Sequence, residues 1–234
     1  MRNIWFFGDS TTYGHGLRPG FDYYEDYPNS RDIRWTQYLS KYFNGNEVNK
    51  ASCGASNMDI QYELITNLSD IKSNDVVVIQ STYPTRISVH NKYGDLKPIH
   101  IALNDEIIEG FTKEQVSSFK LFSKNFLIDY FQNYDDRDTS IFLSLKRELE
   151  LRDVNVIFWY HEVMNTNILK KFGWKTIKEE STNRVNDFHL GWGAQKKFFE
   201  FIKGEYESGN STIYPNPEFY TDIEKLSFNY NIED

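Results

Sequence analysis

The chain has 234 residues, 39% of them hydrophobic and 17% aromatic, and a formal net charge of -8. That length and apolar content suffice for the full core of one α/β unit and exclude a chain disordered by composition. The acidic balance argues against nucleic acid as a partner, and the single cysteine, Cys53, excludes an internal disulfide and a cysteine-based zinc site.

Ile4-Trp5-Phe6-Phe7 is a continuous apolar run closed by Gly8, which predicts a fully buried strand. The run is too short for the apolar core of a signal peptide, and no stretch reaches the length of a membrane span. The expectation is therefore synthesis in the cytoplasm and no membrane partner. Residues 11–34 are rich in Gly, Pro, Asp and Tyr and predict a loop. Trp35, Leu39, Tyr42 and Phe43 recur at helical spacing, and Gly45 stands where that helix should stop. Glu47-Val48-Asn49 predicts a short second strand, followed by a loop of small residues from Ala51 to Ser56.

Met58, Gln61, Tyr62, Ile65 and Leu68 mark an amphipathic helix over 57–70, with Asn57 near its N-cap. Val76-Val77-Val78-Ile79 is the clearest buried strand. Residues 80–112 show no single period and predict an irregular insertion. Apolar periodicity predicts helices over 114–132 and 139–152. Val154 to Trp159 predicts another buried strand, Ile177 a weak last one, and Gly193 to Tyr206 a helix with Phe198, Phe199 and Ile202 inward. The tail from Tyr214 to Asp234 predicts a segment packed over the domain or against a partner subunit. Strands alternating with helices argue for a parallel sheet covered on both faces. With no repeat and no linker, the expectation is one domain over 1–234.

In such a sheet, ligands gather beyond the carboxyl ends of the strands. Gly8-Asp9-Ser10-Thr11 follows the first strand, Ser52-x-Gly54-x-Ser56 the second, and Gln80-Ser81-Thr82-Tyr83-Pro84 the third. Asp187-Phe188-His189 stands just before the last helix. A hydroxyl, a small-residue loop, a polar loop and an Asp/His pair are thus expected along one edge. A serine hydroxyl is a poor nucleophile until a base takes its proton, and His suits that task near neutral pH. Asp187 is placed to accept the other imidazole N–H and stabilise the cation. Ser after a strand is otherwise a turn or cap residue, and a lone His is ordinarily structural. Asp9 is expected to hold its loop by hydrogen bonds, and Arg86 to form a surface ion pair or, less plainly, to meet an anionic substrate. Cys53 reads as a small packed residue with no His paired to it in sequence. His161 reads as pocket-lining. Gly14-x-Gly16 lacks the spacing for a dinucleotide, and no metal set or cofactor motif is present.

The blocks IWFFGDSTTYGHG, VNKASCGASN and NDFHLGWGAQKKFFEFI, in that order, resemble the SGNH/GDSL hydrolase superfamily, in a divergent branch often associated with phages. The resemblance covers residues 4 to about 90 and about 185 to 203. It implies a three-layer α/β/α sandwich with a parallel, flavodoxin-like sheet. It also implies a serine esterase with Ser10 as nucleophile, His189 as base and Asp187 as the acid. The implied oxyanion donors are the backbone N–H groups of Ser10 and Gly54 and a side chain from the third block. That block is usually Gly-x-Asn-Asp, whose Asn donates. Here it is IQSTYPTR, and Thr82 is the substitute donor, with Ser81 behind it. The last block is usually Asp-x-x-His, whereas this chain has Asp187-x-His189. A backbone carbonyl orienting His189 stays open beside Asp187.

The implied substrate is a short acyl ester carried by a small molecule or carbohydrate, with O-acetyl groups on a polysaccharide as one case. The Tyr-rich loop from Phe21 to Tyr27 offers an aromatic platform for a sugar. The altered third block keeps a second class open: a binding or structural module on the same fold with weak catalysis. Acyl transfer to an acceptor other than water is a third. No motif specifies substrate-binding residues or oligomeric state.

Overall fold

The computed structural model describes residues 1–14, 34–82, 86–90, 93, 96–100, 110–126, 131–159 and 192–213. The first strand, β1 (Asn3–Phe7), is the predicted apolar run, and the chain turns from it into a short helix α1 (Ser10–Tyr13). Helix α2 (Trp35–Tyr42) leads to β2 (Asn46–Asn49), and α3 (Asn57–Asn67) leads to β3 (Val76–Gln80). Then come β4 (Arg86–His90), β5 (Leu96–His100), α4 (Lys113–Phe126), α5 (Phe131–Glu150) and β6 (Asn155–Trp159). Helix α6 (Trp192–Glu207) and the two-residue β7 (Thr212–Ile213) complete the described elements.

The main sheet has five strands in the order β2-β1-β3-β6-β7, and every neighbouring pair is parallel. This is a doubly wound α/β sheet of flavodoxin-like order. The apolar runs fill both of its faces by simple alternation. Ile4, Phe6, Val76, Val78, Ile157 and Trp159 pack with Trp35 and Leu39 of α2 and Phe198 and Ile202 of α6. Trp5, Phe7, Val77, Ile79, Val156 and Phe158 pack on the other side with Ile60 and Leu64 of α3 and Phe142 and Leu149 of α5. The result is the expected α/β/α sandwich.

Trp35 lies at the centre of the first face, with its ring edge-on to Phe6, Trp159 and Phe198. Helix α2 has no side-chain cap of its own. Its first N–H, on Trp35, instead donates to Gln195 Oε1 of α6 at 2.9 Å. Helix α3 carries a local signal: Ser56 and Asp59 form a reciprocal capping box.

Two expectations are corrected. Residues 80–112 are not wholly irregular, because β4 and β5 pair antiparallel in a separate two-stranded sheet, with Ser88 opposite Pro98. Neither strand holds an unbroken apolar run, and the Pro in β5 argues against a strand. Helix α5 begins at Phe131 rather than 139, because Gln-Asn-Tyr-Asp-Asp-Arg-Asp has no apolar period. A short strand that was not expected also follows the last helix. Ile177 and the tail beyond 213 lie outside the described residues. Among the described residues no helix is long and apolar enough to cross a membrane.

Candidate functional site

The chain leaves β1 toward β2 on one side and returns to β3 on the other, with α2 and α3 on opposite faces. The carboxyl ends of β1 and β3 therefore flank the crevice where doubly wound sheets bind ligands. Ser10 stands there as the first residue of α1, 5% exposed. As the first helical residue it has no intrahelical acceptor for its N–H. Asp9 is the N-cap, and its side chain serves the N–H of Thr11 (2.9 Å) rather than that of Ser10.

Asp9 is 1% exposed and is the hub of the site. Its Oδ1 accepts from Thr11 N–H and from Gln80 Nε2 at 2.6 Å. Its Oδ2 accepts from Thr82 Oγ1 at 2.7 Å and from Arg86 Nη1 at 2.8 Å. The same Nη1 donates to Thr82 Oγ1 at 2.9 Å. Gln80 Oε1 in turn accepts from Thr12 Oγ1. This ties the β1 loop to the β3 loop through buried, charge-assisted bonds. The expectation that Asp9 holds its loop is met. Arg86 departs from a surface ion pair: its side chain is 14% exposed and that of Asp9 2%.

Gly8 is required by proximity. A Cβ there would lie 2.6 Å from both Gln80 Oε1 and Thr12 Oγ1. Gly54 is required by conformation, with φ 77° in the left-handed region. Its loop lies beside the β1 loop, because Ser52 N–H donates to Gly8 O at 3.2 Å. No described residue accepts from the N–H of Gly54 or of Ser10, and Ser10 Oγ has no partner among them. Cys53 is exposed rather than packed. Burial of its sulfur against the loop nevertheless pushes the thiol up to about 11; the charge of Asp9 adds to the rise and that of Arg86 opposes it.

Ser10, Gly54 and Thr82 thus come together at the carboxyl edge, as their order in the sequence implied. Asp187, His189, His161 and the Phe21–Tyr27 loop lie outside the described residues. Among the described residues no group of three or more His, Cys, Asp or Glu is placed to hold a metal. An apolar groove bordered by Val89, Phe111 and Phe119 lies on β4 and α4 and contains none of these residues. Sequence reasoning missed two members of the site. Gln80 had a signal, a lone amide ending the run Val-Val-Val-Ile. Asn57 was read as a cap, but the cap is Ser56, and Asn57 Oδ1 accepts from Thr82 N–H at 2.7 Å.

Fold and site together define a doubly wound α/β protein whose switch point holds a serine hydroxyl unengaged by the described residues. No family model matches the chain, and no curated protein matches it. Among solved structures it is similar to a protein assigned to the G-D-S-L lipolytic family from Desulfitobacterium hafniense DCB-2, at 12% identity and TM-score 0.37 over 97% of this chain and 98% of that one. It is similar to a carbohydrate esterase whose active site displays divergent catalytic and non-catalytic binding functions, at 14% identity and TM-score 0.35, over 97% of this chain and 65% of that one. It is also similar to an acetyl xylan esterase from the rumen bacterium Butyrivibrio proteoclasticus, at 11% identity and TM-score 0.37, over 96% and 62%. The chain thus spans less than two thirds of the latter two chains. Nothing in these comparisons supports a phage-associated branch.

Proposed function

We propose that this chain is a serine esterase of the SGNH/GDSL type. The observation that carries the proposal is the meeting of three separate sequence blocks at the switch point, around a serine whose hydroxyl and N–H are both unengaged by described residues. Ser10 Oγ attacks the ester carbonyl while His189 takes its proton, and Asp187 holds the imidazole and stabilises the cation. The tetrahedral oxygen receives hydrogen bonds from the N–H groups of Ser10 and Gly54. His189 returns the proton to the leaving alcohol, leaving an acyl group on Ser10. Water then attacks the acyl-enzyme with His189 again as base, releasing the acid.

The start of α6 supports the placement of His189. Helix α6 precedes a strand parallel to β6 and so begins at the carboxyl edge. Its Gln195 accepts from Trp35 N–H, and Trp35 Nε1 donates to Thr11 O at 3.0 Å, next to Ser10. Only three residues of chain lead from His189 to Trp192, a reach of at most about 11 Å.

The substrate follows as a short acyl ester, with O-acetyl groups on a carbohydrate as one case. Ser10→Ala and His189→Ala each lower turnover of p-nitrophenyl acetate by roughly 10⁴-fold or more, and a fluorophosphonate labels Ser10 in the wild type. Full turnover in either purified variant rejects the assignment, and preference for long chains in an acyl-length series rejects the short-acyl substrate. The engagement of the Thr82 hydroxyl by Asp9 favours one alternative, a binding module with weak catalysis. A folded, unlabelled protein that retains glycan affinity would establish it.

A further inference from the structure

The third oxyanion donor was expected from the block after β3, where Thr82 stands. The Thr82 hydroxyl has one proton, and that proton goes to Asp9 Oδ2 at 2.7 Å, while its oxygen accepts from Arg86 Nη1. Its backbone N–H is also taken, by Asn57 Oδ1 at 2.7 Å. Thr82 is therefore a link in the Asp9 network with no donor left over.

Asn57 is the reverse case. It is the first residue of α3, three positions after Gly54, and it is 3% exposed. The Thr82 N–H is a donor, so the amide presents its oxygen to it. The Nδ2 group, with two protons, then has no acceptor among the described residues. Nδ2 is not one of the fully buried polar atoms that lack a partner, so the nitrogen keeps some contact with solvent while the oxygen is held inside. The amide stands at the carboxyl edge of β3, two hydrogen bonds from the carboxylate of Asp9, whose next residue is Ser10.

We propose that the side-chain amide of Asn57 is the third oxyanion donor, so that Nδ2 binds the tetrahedral oxygen formed when Ser10 attacks. This rests on the esterase reading above. The donor thus comes from the start of α3, with Thr82 as the residue that orients it. The arrangement reconciles a third block lacking Asn with a site that needs a side-chain donor of amide reach. An amide held by its oxygen, with its nitrogen unengaged by the described residues, is already positioned for charge that develops only in the transition state.

Asn57→Asp retains an acceptor for Thr82 N–H while removing the donor, and Asn57→Ala beside it removes the donor without adding a negative charge, so a loss shared by both tests the assignment. Turnover of p-nitrophenyl acetate is normalised to Ser10 sites counted by exhaustive fluorophosphonate labelling, so unfolded protein does not enter the rate. The expected result is a fall in kcat per labelled site of about 10²–10³-fold with KM within about threefold. Thr82→Val, measured the same way, loses less than about tenfold if Thr82 only links Asn57 to Asp9. Should the Asp variant fail to fold, Asn57→Ala at 10 °C, again per labelled site, gives the same loss. A labelled Asn57 variant turning over at the wild-type rate overturns the proposal and leaves Ser10 as nucleophile. A wild-type protein that neither labels nor hydrolyses the ester overturns the esterase reading and this inference with it.

Discussion

Asp9→Asn removes the charge at the hub while leaving the shape of the side chain. In the wild type both carboxylate oxygens face donors: Thr11 N–H and Gln80 Nε2 on one side, Thr82 Oγ1 and Arg86 Nη1 on the other. An Asn in either orientation turns an NH₂ group toward two of those donors, and it removes the negative charge that pairs with the guanidinium of Arg86. Removing one member of a buried pair costs about 3–5 kcal/mol. Arg86 keeps 14% of its side-chain surface exposed and retains Thr82 and Ala55 as acceptors, so the lower value, about 3 kcal/mol, applies. For a chain of this size that lowers Tm by roughly 6–12 °C. Urea denaturation followed by tryptophan fluorescence measures it, since Trp5, Trp35 and Trp159 are all buried. Combining Asp9→Asn with Arg86→Met completes a double-mutant cycle. A buried, geometrically sound pair gives a coupling above about 1.5 kcal/mol, whereas exposed pairs give about 0.2–1 kcal/mol. A Tm loss under about 2 °C, or a coupling in the exposed range, would refute the view that Asp9 organises the site.

Gly8→Ala destabilises the protein by about 1–3 kcal/mol through overpacking, because its Cβ meets Gln80 Oε1 and Thr12 Oγ1 at 2.6 Å; an unchanged urea midpoint contradicts this contact. Iodoacetamide alkylates Cys53 slowly at pH 8, where a thiol shifted from 9.0 to about 11 holds about a hundredth of the thiolate. The rate climbs past pH 10, and a plateau by pH 9.5 contradicts the shift. Asp9→Asn moves that rise to lower pH, because it removes a negative charge that disfavours the thiolate.

The three central strands were legible in the sequence because each is an unbroken apolar run, the mark of a strand buried on both faces. Their separation into two cores, Ile4 and Phe6 on one side and Trp5 and Phe7 on the other, follows from the two-residue period once the strand is granted. Ser10 and Gly54 were legible because they follow strands, and a parallel sheet gathers strand ends along one edge. The β4–β5 pair and β7 were not, because β4 and β5 interleave polar residues and a Pro with their apolar ones and β7 has only two residues.

What only the tertiary structure decided is which donor meets which acceptor. Asp9 is bound by Gln80, Thr82 and Arg86 across separations of 71, 73 and 77 residues, and Asn57 by Thr82 across 25. Residue type announces that a hydroxyl or an amide is available. Whether that group is consumed by the scaffold, as at Thr82, or left with a donor unengaged by the described residues, as at Asn57, depends on ångström-scale distances between segments that share no local pattern. Hydrophobic periodicity is a property of neighbours in the chain and is written there, whereas hydrogen-bond partnership is a property of neighbours in space.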